Sequence, residues 1–430
     1  MGAAETMSTA SRAAPDTSFD DPAGLENVRP IPRISIQAFC ESEAVARPIE
    51  NAGADRRMAK THMRVNLGGI RAAVEHFSGA PTPNLVILES KLPPLELIAE
   101  LESLSEVCDP GSKVIIIGHY NDVALYRDLM HRGVSEYLVA PVSIADIMTI
   151  IGSLFTAPDS EPLGRSIAFV GAKGGVGSST IAHNLAWSIS KLFSSDVVIA
   201  DLDLPFGTAN INFDQDPAQG IAEAVFSAER MDDTMLDRLL SKCAEHLSLL
   251  AAPSLLDRTY DFSTEAFSAL IETAQRGAPV VALDIPHVWN DWTRSVLASA
   301  DQIVITATPD LANLRNAKNL VDMLAKLRPN DPVPHLILNQ LAIPRRPEIS
   351  PEEFADPLGL EPIAQINFDP QAFGNAANNG QMLAELDGKH PAVEAFEHVA
   401  HVLTGRGTAK KPKKQGLLQR LRHSGKATRE

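Results

Sequence analysis

Two hydrophobic patterns alternate along most of this chain: short continuous apolar runs, and longer stretches with apolar residues three or four apart. The first suits strands buried on both faces, and the second suits helices with one face on a core. Between Arg33 and Phe155 the runs Ile34–Phe39, Asn84–Leu88, Lys113–Ile117 and Tyr137–Val139 read as strands. Gly68–Phe77, Leu95–Leu104, Asp122–His131 and Ser143–Leu154 read as helices. This alternation predicts a five-strand, doubly wound α/β domain over 29–156. From Arg165 to about Gly405 seven more runs recur: Ser166–Val170, Asp196–Ala200, Leu247–Ala251, Pro279–Leu283, Gln302–Thr306, His335–Leu338 and Pro362–Ile366. They predict a second, larger α/β domain over 165–405, with a mostly parallel sheet covered on both faces. Residues 157–164, rich in Pro, Gly and acid, read as a linker. Residues 1–28 show no periodicity and read as a disordered leader.

Composition adds one correction to this picture. The 430 residues carry a formal net charge of −16. From Arg406 to Glu430 there are nine basic side chains and one acidic, a net of +8. The other 405 residues hold 29 basic and 53 acidic side chains, a net of −24. Such an acidic body argues against a protein that coats nucleic acid. No apolar run reaches the roughly 20 residues needed to span a bilayer, and no secretory signal is visible, so a cytoplasmic protein is expected. Cys40, Cys108 and Cys243 are odd in number and lack metal spacing; three ordinary buried thiols are expected.

The sharpest chemical signal is GAKGGVGSST, Gly171 to Thr180, between a strand and a helix. Gly174, Gly175, Val176, Gly177 and Ser178 form a turn whose backbone N–H groups can wrap a polyphosphate, with the following helix N-terminus adding its dipole. The ordinary phosphate loop ends G-K-[ST], but here Ser178 stands in place of that lysine. A lysine early in the loop, Lys173, resembles the deviant loop of the MinD/ParA family. That resemblance makes Lys173 a signature lysine reaching across a nucleotide-sandwich homodimer. It assigns ATP and Mg²⁺ as cofactors, Ser179 to the Mg²⁺ and Thr180 to the α-phosphate. In VVIADLDLPFGTAN it gives Asp203 the orienting of attacking water, with Asp201 beside it. In PVVALDIPH it places Asp284 on the Mg²⁺ through water, and the metal set is then Ser179, Asp201 and Asp284. Asn339 in LILNQ matches a position that reads the adenine edge, and the segment INFDPQAFGNAANNGQML one that contacts the base. Loss of a cation beside the γ-phosphate costs about 10²–10³ in rate, by analogy with losing one oxyanion donor. ATP binding with weak or absent hydrolysis is therefore expected.

The first domain resembles a receiver domain of response regulators, with its chemistry degenerate. Glu89 stands at the phosphoacceptor position, Cys40 follows the first strand where an acid pair belongs, and Gly118 and Ala140 replace the switch hydroxyl and the lysine. An interaction module is expected, with Glu89 a solvated strand-end acid; a fixed phosphate mimic is the alternative. A degenerate receiver followed by a MinD/ParA-type domain resembles the CpaE/TadZ pilus-assembly family. The resemblance implies a dimeric localisation factor at the cell pole or inner membrane. It would work with secretion-type ATPases and platform proteins of tight-adherence (Flp-type) pili. In the tail, KKPKK precedes Leu417, Leu418 and Leu421 on one helical face, which looks like the membrane-targeting helix of MinD. Binding to an anionic membrane and a solvated tail both stand as readings of it. Two rival functions are kept: a ParA- or MinD-like factor positioning DNA or the division site, and a nucleotide-free signalling adaptor. His183, His287 and His335 lack metal spacing and are expected to be structural or at the surface. Trp289 and Trp292 are expected in the core.

Overall fold

The computed structural model describes residue 25 and residues 28–155, 163–217, 219–226, 231–253 and 263–406. Most of the leader, the 157–164 linker and the basic tail beyond Arg406 lie outside the described residues. The chain divides into two compact units, Met1–Pro158 and Asp159–Glu430.

The first unit holds β1 (Ser35–Cys40), β2 (His62–Leu67), β3 (Leu85–Ser90), β4 (Lys113–Gly118) and β5 (Glu136–Val139). They form one sheet in the order β2-β1-β3-β4-β5, every pair parallel. Because successive side chains point to opposite faces, the same strands feed two cores. Leu85, Ile87, Ile115 and Ile117 pack with helices Glu43–Gly53 and Ile144–Phe155. Val86, Leu88 and Ile116 pack with helices Gly69–Phe77 and Val123–His131. Leu25, inside the expected leader, is buried in the first of these clusters. The strand that the hydrophobic pattern does not announce is β2. It is the sheet edge, its side chains are largely exposed, and it has no continuous apolar run. Cys40 is buried, which pushes its thiol up to about 12, whereas Cys108 and Cys243 are only partly covered.

Glu89 departs from expectation. It is completely buried rather than solvated. Its carboxylate accepts from the Glu41 and Ser42 backbone N–H groups at 2.7 and 2.8 Å and from Ser42 Oγ at 2.7 Å. His119 Nε2 lies 3.1 Å away and Lys91 Nζ 3.8 Å. Burial alone would raise its pKa, but the hydrogen bonds from Ser42, His119 and Glu41 win and hold it below the ordinary glutamate value.

In the second unit, β6 (Arg165–Gly171), β7 (Val197–Asp201), β8 (Ser241–Ala244), β9 (Leu247–Leu250), β10 (Val280–Ile285), β11 (Gln302–Ala307), β12 (His335–Leu341) and β13 (Pro362–Asn367) form one sheet. Its order is β13-β12-β11-β6-β10-β7-β9-β8. All seven expected strands are present and parallel; β8, an antiparallel edge, is the addition. Helices Ser178–Phe193 and Pro391–Thr404 cover one face around Phe169 and Phe396. Helices Thr264–Gly277, Asp291–Ser299 and Leu311–Leu327 cover the other around Phe267. Each fully buried phenylalanine contributes about 1.5–3 kcal/mol by leaving water. Both units are thus doubly wound α/β folds. Among the described residues no helix is long and apolar enough to cross a membrane.

Candidate functional site

The loop after β6 leaves the middle of the second sheet, between the ends of β11 and β10. Open parallel sheets bind ligands outside such carboxyl ends. Gly175 and Gly177 take φ of +82° and +86°, which only glycine adopts freely, so the loop turns back on itself. A side chain at Gly177 would also meet Asn339 Nδ2 at 2.6 Å. Lys173, Gly174 and Gly175 are exposed, Val176 is buried, and Gly177 to Thr180 are half-buried. Helix Ser178–Phe193 starts at Gly177 with no side chain capping it, and the first N–H groups of a helix have no partner within it.

Side chains distant in sequence hold the loop. Asn339 Nδ2 donates to Val176 O at 2.8 Å, and Gln340 Nε2 to Gly175 O at 3.0 Å. Asn316 Nδ2 donates to Ala172 O and His287 Nδ1 to Gly171 O, both at 2.9 Å. The amide nitrogen of Asn339 is therefore engaged by the loop backbone. Thr180 O accepts from Asn184 Nδ2 at 2.8 Å.

Three acids gather beside the loop. Asp284 and Asp201 are register partners at the ends of β10 and β7, 3% and 1% exposed. Ser179 Oγ donates to Asp284 Oδ1 at 3.1 Å. Asp201 accepts from the backbone N–H of Asp203 at 3.2 Å and of Ala209 at 3.1 Å. Burial, and then the charge of Asp284, push Asp201 up to about 7 against the pull of His183 and these hydrogen bonds. Asp203 is half-buried and accepts from Phe206 N; burial raises it as well, with Asp284 adding to the shift.

Lys173 projects elsewhere, where its charge helps hydrogen bonds from Asn313 and Thr308 outweigh burial and hold Asp310 low. Ser178 Oγ is buried with no hydrogen-bond partner among the described residues. An uncapped helix start, an orphaned hydroxyl and two crowded acids beside Ser179 make a donor set that fits a polyphosphate with a divalent cation.

His183, expected to be structural or at the surface, is buried beside the acids. It lies one helical turn beyond Ser179, is 1% exposed, and places Nε2 3.3 Å from Asp284 Oδ2. The i, i+4 spacing is the only trace of this in the sequence. The histidine and tryptophan expectations divide. Trp292 stacks on Phe267 at 4.5 Å, as a core residue does. Trp289 is 49% exposed and lines a cavity of about 350 Å³ with Gly171, Ala172 and Met323.

Comparison with known proteins bears on both units. The AAA domain family (AAA_31) matches residues 164–333. Septum site-determining protein MinD of Synechocystis is 26% identical over 256 residues, 56% of this chain and 90% of that protein. A ParA family ATPase from Chlorobium tepidum is 25% identical with a TM-score of 0.51, covering 55% of this chain and 98% of that one. The N-terminal part is 46% identical to the crystal structure of pilus assembly protein CpaE from Caulobacter crescentus, covering 30% of this chain and 98% of that one (TM-score 0.30). A receiver-like unit with that identity, followed by a MinD/ParA-like unit, settles the assignment: the chain belongs to the CpaE/TadZ pilus-assembly family.

Proposed function

We propose that this chain is an ATP-binding localisation factor for tight-adherence pilus assembly, acting as a nucleotide-dependent homodimer with weak or absent hydrolysis. The observation that carries the reading is the intact phosphate nest with Ser178 where the lysine belongs. The loop from Gly174 to Thr180 would hold the phosphates, and Ser179, Asp284 and Asp201 the Mg²⁺, partly through water. Bound Mg²⁺-ATP supplies the negative charge that would draw Lys173 from Asp310 toward a second copy. Asp203, beside the same carboxylates, would orient a water. Without the second lysine, less of the developing charge at the γ-phosphate is balanced, and binding outlasts turnover. Asn339 would meet the adenine edge with its amide oxygen, because its nitrogen is held by Val176.

The partners on this reading are a second copy and the secretion ATPase and platform proteins of the pilus machine, met on the cytoplasmic side at the pole or inner membrane. The basic tail would add attachment to an anionic leaflet. The body's net charge of −24 counts against positioning by DNA.

Calorimetric titration of the full chain with Mg²⁺-ATP, paired with sedimentation velocity, tests the core of this. Saturable heat and a monomer-to-dimer shift are expected. Absence of heat would favour a nucleotide-free adaptor. Steady-state turnover equal to that of an intact phosphate-loop ATPase would reject weak hydrolysis. Co-sedimentation with anionic vesicles, with and without residues 406–430, tests the attachment.

A further inference from the structure

His183 lies inside the acid cluster, yet neither the sequence motif nor the proposed chemistry uses it. The P-loop helix turns once between Ser179 and His183, which brings both to one carboxylate. Ser179 Oγ takes Asp284 Oδ1, and His183 Nε2 lies 3.3 Å from Oδ2. The imidazole is 1% exposed, and Nε2 has no aligned hydrogen-bond partner. The other ring nitrogen is occupied. Asn212 Nδ2 lies 3.1 Å from His183 Nδ1. An amide N–H donates there, so Nδ1 is the acceptor and Nε2 carries the proton, on the edge of the ring nearest Asp284. The ring is packed as well, 5.4 Å from the Phe213 ring.

Asn212 and Phe213 lie at the end of the short helix Ala209–Asn212, whose Ala209 N–H donates to Asp201 Oδ2. The same segment exposes Phe206 and Ile211, at 71% and 61%. One polar chain therefore runs from Ser179 through Asp284, His183 and Asn212 to a stretch that presents apolar side chains to solvent.

We propose that His183 is a positioning residue for the Mg²⁺-nucleotide site: it fixes Asp284 from the side opposite Ser179, and through Asn212 it couples occupancy of the site to residues 208–213. The inference rests on the nucleotide reading above. A carboxylate held on one oxygen by Ser179 and flanked on the other by an imidazole nitrogen at 3.3 Å has little freedom to turn, and presents a fixed face to a cation. Freed from the imidazole, it can rotate away or crowd Asp201, and the site has to be ordered when the cation binds. The nest of backbone N–H groups does not depend on His183, so nucleotide contact without Mg²⁺ is left unchanged.

The test measures ATP affinity of the full-length protein with Mg²⁺ and with EDTA, by calorimetry. His183→Phe keeps the ring against Phe213 and removes the N–H. It is expected to reduce the Mg²⁺-dependent gain in affinity about tenfold while leaving affinity in EDTA within twofold. His183→Gln, which restores a donor, is expected to recover most of the gain. Asn212→Leu releases the tautomer from a half-buried position and is expected to cost about threefold in the same gain. Hydrogen exchange at saturating Mg²⁺-ATP is expected to show protection of 208–213 in the wild type and loss of it in both His183→Phe and Asn212→Leu. An unchanged Mg²⁺ gain in His183→Phe overturns the inference, as does an equal fall with and without Mg²⁺, which marks mere packing. Should His183→Phe fail to fold, Asn212→Leu decides by the same two measurements. Wild-type protein that gives no heat in either condition removes the nucleotide reading itself. Wild type that gains with Mg²⁺ beside variants that gain equally removes only the role of His183.

Discussion

Each unit buries an acid at the end of a parallel strand, and the two are treated in opposite ways. In the first unit Glu89 collects two backbone N–H groups, a hydroxyl and an imidazole, and its pKa falls. In the second unit Asp201 and Asp284 are buried side by side and Asp201 is driven up to about 7. A carboxylate whose lone pairs are filled by its own chain is a finished structural joint. It ties the loop after β1 to the ends of β3 and β4 and leaves no coordination for a cation. A crowded pair whose charge is unbalanced leaves room for a ligand to complete it. The strand-end acid of the receiver-like unit is thus fully partnered, whereas the MinD/ParA-like unit crowds two acids beside a loop in which Ser178 follows the last glycine.

The largest expected effect probes Ser178. Ser178→Lys supplies a cation beside the γ-phosphate, and ATP turnover is expected to rise by about 10²–10³. A steady-state phosphate-release assay on the full chain measures it. A flat result would mean that the crowded acids are not poised for transfer even when the charge is supplied. Next comes the structural joint. Glu89→Ala orphans the Glu41 and Ser42 N–H groups and unpairs His119, and it is expected to destabilise the first unit by about 3 kcal/mol. Denaturant unfolding followed by hydrogen exchange in β1 and β3 reads this. Exchange unchanged in those strands would show that Glu89 is not the joint described.

Much of this contrast was beyond the sequence. The buried strands were legible because β3, β7 and β10 are runs of apolar residues with no polar interruption until their ends. The edges β2 and β8 were not, since an edge needs no apolar run. The glycine-rich loop was legible because Gly171, Gly174, Gly175 and Gly177 fall within seven consecutive residues. Glu89 was misread because its donors come from Glu41, Ser42 and His119, 48, 47 and 30 residues away, and nothing local announces them. His183 was missed for the same reason: its partners lie on Asp284 and Asn212, and its own helix reads as an ordinary amphipathic one. What the loop rests on, Asn316, His287 and Gln340, was likewise fixed only by the topology of the sheet.

The two acid sites predict opposite responses to pH. Burial and the charge of Asp284 push Asp201 from the ordinary aspartate range up to about 7. The folded form then binds the proton more tightly than the unfolded one. Stability of the nucleotide-free second unit is expected to fall as pH rises from about 4 to about 7, and to level above that. Glu89 has its folded value lowered from 4.5, so its contribution is present above that value and is lost as pH falls through the folded pKa. Trp187, Trp289 and Trp292 all lie in the second unit, so tryptophan fluorescence reports that unit alone. Saturating Mg²⁺-ATP is expected to flatten its slope. A slope of the same sign in both units would break the comparison.

The smallest effect concerns how firmly the open site is held. Gln340 donates to Gly175 O while sitting at φ +54°, a left-handed backbone that a non-glycine residue adopts at a cost on the order of 1 kcal/mol. Gln340→Ala loses the hydrogen bond and keeps the strain, so about 1 kcal/mol of stability is expected to go. Gln340→Gly loses the same bond but relieves the strain, and the extra freedom of the unfolded glycine offsets part of that relief. Its melting temperature is expected to stay near wild type. Both variants free the Gly175 carbonyl, so both are expected to bind ATP a few-fold more weakly. Equal stability loss in the two would show that the strain at Gln340 is not felt. Unchanged affinity in both would show that the loop needs no clamp from β12, and that the nest is organised by its glycines alone.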